Sequence, residues 1–141
     1  MKIYKYIEQD IDLMVFNHWG RRLKSSRALK KLKEFLKSSE AYTIYDEKAV
    51  AVLAFREYEK GCWECGIIAD ESFNTRHVVK MKWLINKCIE KYKPKRIQTL
   101  SEDNDKLNKW HEFLGLQKEK TGVTIGKEKN LVLWSMEWEQ D

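Results

Sequence analysis

A single proline interrupts the 141 residues, and only six are glycine. So few chain breakers exclude the collagen-like and proline-rich linker classes and favour a compact chain with short connections. No apolar run approaches the ~18 residues that a membrane-spanning helix needs, so no membrane partner is expected. Residues 1–10 mix Lys, Tyr, Glu and Asp, which does not read as a signal peptide; the expected location is the cytoplasm. Three cysteines make an odd count without framework spacing, which argues against a disulfide scaffold. Hydrophobic residues at 43% and charged residues at 35% exclude a disordered chain. The length suits one domain, 1–141, with one core.

Charge is present in excess and unevenly placed. The net charge is +5, but residues 21–37 alone carry +7, which leaves −2 for all the rest. Eight cations make up that segment: Arg21, Arg22, Lys24, Arg27, Lys30, Lys31, Lys33 and Lys37. Such a run suits a solvated helix face, or a surface that steers an acidic protein or a nucleic-acid backbone. Aromatic residues are not interleaved with it, so sequence-specific single-strand recognition there has little support. Six tryptophans are also many for this length, and those left exposed among Trp19, Trp63, Trp110 and Trp138 would mark a contact surface.

Periodicity divides the chain into alternating strands and helices. Residues 2–7 alternate as an edge or second strand. Asp10 is expected to cap a helix carrying Ile11, Leu13, Met14, Phe16 and Trp19, with Gly20 as its stop. Ser25 or Ser26 caps the next, whose apolar stripe is Leu29, Leu32, Phe35 and Leu36 and whose other face is basic. Residues 41–45 and 48–57 flank Asp46 and Glu47 as a hairpin, and with the strand at 61–68 they form an antiparallel meander. Residues 69–75 are polar and turn-like. From 76 to 92, Val78, Met81, Ile85, Cys88 and Tyr92 recur at helical spacing, and Pro94 ends that run. A strand at 96–100 follows, then a short helix at 104–114 closed by Gly115. A strand to Thr121, a polar loop with Gly122 and Gly126, and a strand at 131–138 complete the chain. Strand, helix and strand between 61 and 100 make a βαβ unit, so its two strands should be parallel neighbours.

Cys62 and Cys65 match the C-x-x-C spacing, with His77, Cys88 and His111 as conceivable further ligands. Zinc sites place such a pair in a turn where the sulfurs converge, whereas residues three apart on a strand point to opposite faces. Buried core cysteines are the favoured reading, and no metal is expected.

The run Asn104, Leu107, Trp110, His111, Gly115 and Leu116 resembles the closing motif of the GNAT superfamily of N-acetyltransferases. The order of elements around it is similar too. The family's Gln/Arg-x-x-Gly-x-Gly/Ala loop corresponds here to residues 76–81, in which Arg76 is kept and Val79 and Met81 replace both glycines. The resemblance implies an α/β fold of the α+β type: a mixed, mostly antiparallel sheet of six or seven strands, about four helices, and a splayed parallel pair at its centre. It implies acetyl-CoA as cofactor, its pantetheine arm along Ile67 and Ile68 and its pyrophosphate over Arg76, His77, Val78, Val79, Lys80 and Met81, with Asn104 nearby. It also implies Glu64 as the base that deprotonates an amine and His111, in place of a tyrosine, as the acid that protonates the departing thiolate. Glycines let the backbone come close to phosphate, and their absence counts against that cradle.

Three readings stay open from sequence. One is an N-acyltransferase that uses acetyl-CoA on a primary amine. The second rests on a likeness to small phage-encoded GNAT-like proteins: a catalytically degenerate module, structural, virion-associated or host-protein-binding, found in host cytoplasm or virion. The third is nucleic-acid binding through the basic helix.

Overall fold

A computed structural model of the chain describes residues 1–15, 26–126 and 128–138. Phe16, Trp19, Gly20, Arg21, Arg22, Lys24 and Ser25, which the sequence assigns to the first helix, its end and the basic segment, lie outside the described residues. In chain order the elements are β1 (Lys2–Lys5), α1 (Gln9–Asp12), α2 (Ser26–Lys37), β2 (Glu40–Asp46), β3 (Lys48–Glu59) and β4 (Cys62–Ala69). They continue with α3 (Thr75–Tyr92), β5 (Arg96–Glu102), α4 (Asp105–Phe113), β6 (Gln117–Ile125) and β7 (Glu128–Glu137). The seven strands form one mixed sheet in the order β1-β2-β3-β4-β5-β7-β6. Its β4–β5 pair is parallel, with Cys62, Trp63 and Glu64 opposite Arg96, Ile97 and Gln98. This is the α+β architecture expected of the βαβ unit and its flanking hairpins. Among the described residues no helix is long and apolar enough to cross a membrane.

Residue contacts group the chain into two compact units, Met1–Arg56 with Gly66–His77, and Glu57–Cys65 with Val78–Asp141. In the first, α2 lays its stripe on the sheet: Leu29, Leu32 and Phe35 pack against a core of Ile11, Met14, Leu36, Ala41, Ala49, Val52, Ala54 and Ile68. The alternation in β2 and the unbroken apolar run of β3 supply that floor, and residues 49–55 of β3 are all buried. The outward row of α2 keeps Arg27, Lys30, Lys31 and Lys37 exposed. Lys33 differs from them. It reaches back to α1, with its ammonium 2.7 Å from Asp12 and 3.6 Å from Glu8.

The first helix is shorter than its periodicity predicts. α1 is a single turn, and residues 13–15 leave it. Asp10 does not cap it either. Its carboxylate is buried and accepts the Ile7 N–H at 3.0 Å, the Thr43 hydroxyl at 2.7 Å and the Tyr45 hydroxyl, which ties α1 to β2. A side chain recruited by β2 is not available to the terminus of its own helix.

A second buried carboxylate orders the turn after β4. Asp70 accepts the Val15 N–H at 2.8 Å, the Ser72 N–H at 3.0 Å, the Ser72 hydroxyl at 2.5 Å and the Lys48 ammonium at 3.0 Å. Its own N–H donates to Val50. Burial alone would raise its pKa, but these hydrogen bonds outweigh burial and hold it at about 2.

In the second unit α3 buries Val78, Met81, Ile85 and Cys88 along one face, as their spacing predicts. It stops where Lys93 turns to a φ of +47° ahead of Pro94. Gly61, at a φ of +81°, starts the return into β4, and its carbonyl accepts the N–H groups of both Lys95 and Arg96. That φ favours glycine, and a Cβ there would also meet the Lys95 side chain at 2.8 Å. The end of α4 is a Schellman motif: Leu116 N–H to His111 C=O at 3.1 Å, Gly115 N–H to Glu112 C=O at 3.0 Å, and Gly115 at a φ of +97°. β6 extends past the expected end at Thr121. Gly122 sits inside it at a φ of +65°, beside an irregular step in the β6–β7 pairing, and the connection to β7 shrinks accordingly. The three cysteines are free; Cys65 and Cys88 are buried and Cys62 is half-buried, which is the core role expected of them.

Two outcomes are expected for stability. Lys30→Glu with Lys31→Glu should leave the melting temperature within a degree or two, because both side chains point to solvent. Adding Lys33→Glu should lower it, since a third carboxylate then faces Asp12 and Glu8, and 1 M salt should remove most of that loss. Asp70 has a pKa below its unfolded value of ~3.9, so its stabilisation is complete above that value and is lost as pH falls through about 2. Asp70→Asn should therefore cost about 2 kcal/mol at pH 7 in urea unfolding, with the gap to wild type closing between pH 4 and pH 2. A gap independent of pH would contradict this account.

Candidate functional site

The turn held by Asp70 delivers the chain to the start of α3. Phe73 N–H donates to the Asp70 carbonyl, and Asn74 takes the capping position one residue later. Asn74 Oδ1 accepts the Arg76 N–H at 3.0 Å, and its carbonyl accepts the His77 N–H at 2.9 Å. In return His77 Nδ1 accepts the Asn74 N–H at 3.0 Å. This is a reciprocal capping box in which histidine fills the place usually held by Glu or Gln. Because Nδ1 accepts, the ring proton is on Nε2, which donates to Asp46 Oδ2 at 2.9 Å.

Asp46 thus stands over the terminus of α3. It closes β2, and the next residue, Glu47, makes the tight turn into β3 at a φ of +68°. Its carboxylate also pairs with the Arg76 guanidinium. The hydrogen bond from His77 acts most strongly on its pKa and, with the charge of Arg76, holds it below the ordinary carboxylate range against the opposing effect of burial. His77 is buried, with Phe73 stacked on its ring at 5.7 Å. A carboxylate at this end of a helix complements the partial positive charge of the dipole.

The residues expected to hold the cofactor are placed unequally. Ile67 and Ile68 lie on β4, half-buried and buried. Arg76, His77, Val78, Val79, Lys80 and Met81 all lie within the first two turns of α3, because the helix begins at Thr75 rather than after a loop. Val79 is 55% exposed, whereas Val78 and Met81 are buried in the core. Met81 therefore cannot present its side chain at a cradle. The Lys80 ammonium lies over the Trp83 ring at 4.5 Å. Asn104 caps α4, with Oδ1 accepting the Leu107 N–H at 2.8 Å.

Glu64 and His111 occupy different strands' neighbourhoods. Glu64 is half-buried on β4 opposite Gln98. His111 is buried on α4, stacked on Trp134 of β7 at 5.1 Å, and β5 separates β4 from β7 in the sheet. Its Nδ1 donates to the Leu107 carbonyl at 2.6 Å. Burial lowers its pKa, only partly offset by that hydrogen bond, so the neutral ring is favoured over an imidazolium acid. Among the described residues no group of three His, Cys, Asp or Glu side chains is placed to hold a metal ion.

A pyrophosphate at a helix terminus needs N–H groups that are not already paired and space for its oxygens. Here Arg76 and His77 give their N–H groups to Asn74, and the Arg76 guanidinium faces Asp46. An incoming phosphate would also meet the Asp46 carboxylate. The terminus as built does not fit that group. Asp46, Asn74 and Asp70 carry no signal in the sequence that marks them as site residues. Asn74 and His77 do have the spacing of a capping box, but the usual template admits only Glu or Gln at the second place. Asn74→Ala should lower stability by about 1 kcal/mol, the worth of a lost N-cap, as measured by urea unfolding at pH 7.

No protein-family profile and no curated protein sequence matches the chain. Solved structures do. An aminoglycoside 6'-N-acetyltransferase from Enterococcus faecium superposes with a TM-score of 0.71 at 14% identity, over 100% of both chains. An N-acetyltransferase from Campylobacter jejuni in complex with acetyl coenzyme A gives 0.64 at 16% identity, over 98% of this chain and 99% of the other. A GNAT family acetyltransferase from Elizabethkingia anophelis with acetyl-CoA bound gives 0.66 at 11% identity, over 97% of each. Coverage this complete at identities this low speaks for the architecture alone. The chain has the GNAT N-acetyltransferase fold.

Proposed function

We propose that this chain is a GNAT-fold protein that works by binding a partner and has given up acyl transfer. One observation carries the reading: the first turn of α3 is closed by the chain's own Asn74, His77 and Asp46. That closure takes the N–H groups of Arg76 and His77, two of the donors a coenzyme A pyrophosphate at this terminus would use, and Asp46 supplies a competing anion. The side chains at 79 and 81 are consistent with it, one exposed and one committed to the core. As a binding module, structural, virion-associated or host-protein-binding, the protein would offer an acidic partner the outward row Arg27, Lys30, Lys31 and Lys37 of α2. Lys33 is not counted in that row because Asp12 and Glu8 already hold it.

The second reading is an N-acyltransferase using acetyl-CoA on a primary amine. It is favoured by the full-length match to acetyltransferase structures, two of them holding acetyl-CoA. The two readings part on one measurement. Titration of the protein with acetyl-CoA in a calorimeter, paired with a thermal melt, should give no heat and no shift up to 1 mM ligand. A ligand present at 100 times its dissociation constant would add about 2.7 kcal/mol of stability, which a melt resolves easily. Such a shift would restore the enzyme reading and overturn the binding-module one.

A further inference from the structure

Four lysines on α3 and α4 in the second unit, Lys80, Lys82, Lys87 and Lys106, sit on aromatic rings. On α3, Trp83 is 48% exposed, with the Lys80 ammonium 4.5 Å and the Lys87 ammonium 5.6 Å from its ring centroid. Lys82 on the same helix lies 4.6 Å from the ring of Phe113 on α4, which is 45% exposed. Toward the start of α4, Lys106 lies 4.7 Å from the Trp110 ring. The Lys82 ammonium thus reaches from α3 to α4, while Lys80, Trp83 and Lys87 lie together at the three- and four-residue spacing of one helix face.

We propose that this α3–α4 face binds single-stranded nucleic acid, with bases stacked on Trp83 and Phe113 and phosphates held by Lys80, Lys82, Lys87 and Lys106. Trp83 and Phe113 leave about half of their surface in water, and a lysine stem covers each ring only in part. An unpaired strand presents a π-face and an anion at every nucleotide, which suits rings set beside ammonium groups. A duplex hides its base faces, and an acidic protein offers carboxylates without flat rings to match. Magnitudes favour the exchange. An exposed cation–π contact is worth about 0.5–1 kcal/mol, whereas a base stacked on an aromatic ring is worth about 1–3, and the displaced ammonium is then free to meet a phosphate. Lys80 and Lys87 lie seven residues apart, roughly 10 Å along the helix axis, so they flank the ring rather than crowd one side of it. Acids are present on the same elements, since Glu90 pairs with Lys87 at 3.6 Å and Asp105 and Glu112 lie on α4. The surface is therefore moderately, not overwhelmingly, positive, and stacking has to carry part of the affinity.

The test is fluorescence anisotropy of the full chain with a labelled oligothymidylate, a labelled single-stranded RNA and a duplex of the same length, between 50 and 200 mM salt. Tryptophan fluorescence is followed in the same titrations. The expected result is single-strand binding with tryptophan quenching, at least tenfold weaker binding of the duplex, and a log–log salt slope of roughly −3 if four phosphates are engaged. Trp83→Ala should weaken single-strand binding by roughly 5- to 150-fold, the range spanned by one lost base stack. Trp83→Phe should retain most of it, which separates stacking from damage to the fold. Lys30→Glu with Lys31→Glu on α2 should leave it unchanged. Equal affinity for duplex and single strand, indifference to Trp83→Ala, or loss through the α2 variant alone would each overturn the proposal.

Discussion

The carboxylate of Asp70 decides where β4 stops and where α3 starts. Buried, it needs several donors at once, and it draws them from residues far apart in sequence: Val15, Lys48 and Ser72. Satisfying one group in this way pins the segment after α1, the start of β3 and the turn after β4 to a common point. The chain then has only Phe73 and Asn74 left before the helix, so Asn74 falls at the cap and His77 at the third helical position. The geometry of the α3 terminus depends on that placement.

The resulting helix start serves its own dipole. A helix start in general is a place where an anion is held well. In this chain a carboxylate from the β2–β3 turn takes that place, and an arginine and a histidine hold it there. Each of the three is an ordinary surface-type residue, and none would attract notice alone. Together they make the helix start a joint closed by the chain's own side chains. A fold can keep its sheet, crossover and closing motif while one such joint alters what it is able to hold.

Much of the architecture was legible because it rests on local pattern. The 3.6-residue spacing of Val78, Met81, Ile85 and Cys88, the break at Pro94, and Gly115 after Leu114 all act within a few residues of themselves, and the structure has the crossover helix and the short α4 where those signals put them. The failures share a different cause. Asp10 reads as a cap because capping is local, yet β2 claims its carboxylate through Thr43 and Tyr45, more than thirty residues away. Lys33 reads as one more member of a basic face until α1 supplies Asp12 and Glu8 beneath it.

The sequence by itself determined the strand and helix order, the parallel β4–β5 crossover and the basic character of α2. Periodicity, breakers and charge are carried by each segment without reference to any other. Only the tertiary structure decided which polar side chains would be spent on holding the fold. A buried carboxylate or imidazole must find partners wherever the chain brings them, and those partners come from elements that no local pattern links. That is why Asp46, Asn74 and His77 emerged as the residues that close the helix terminus, and Asp70 as the one that orders the turn before it.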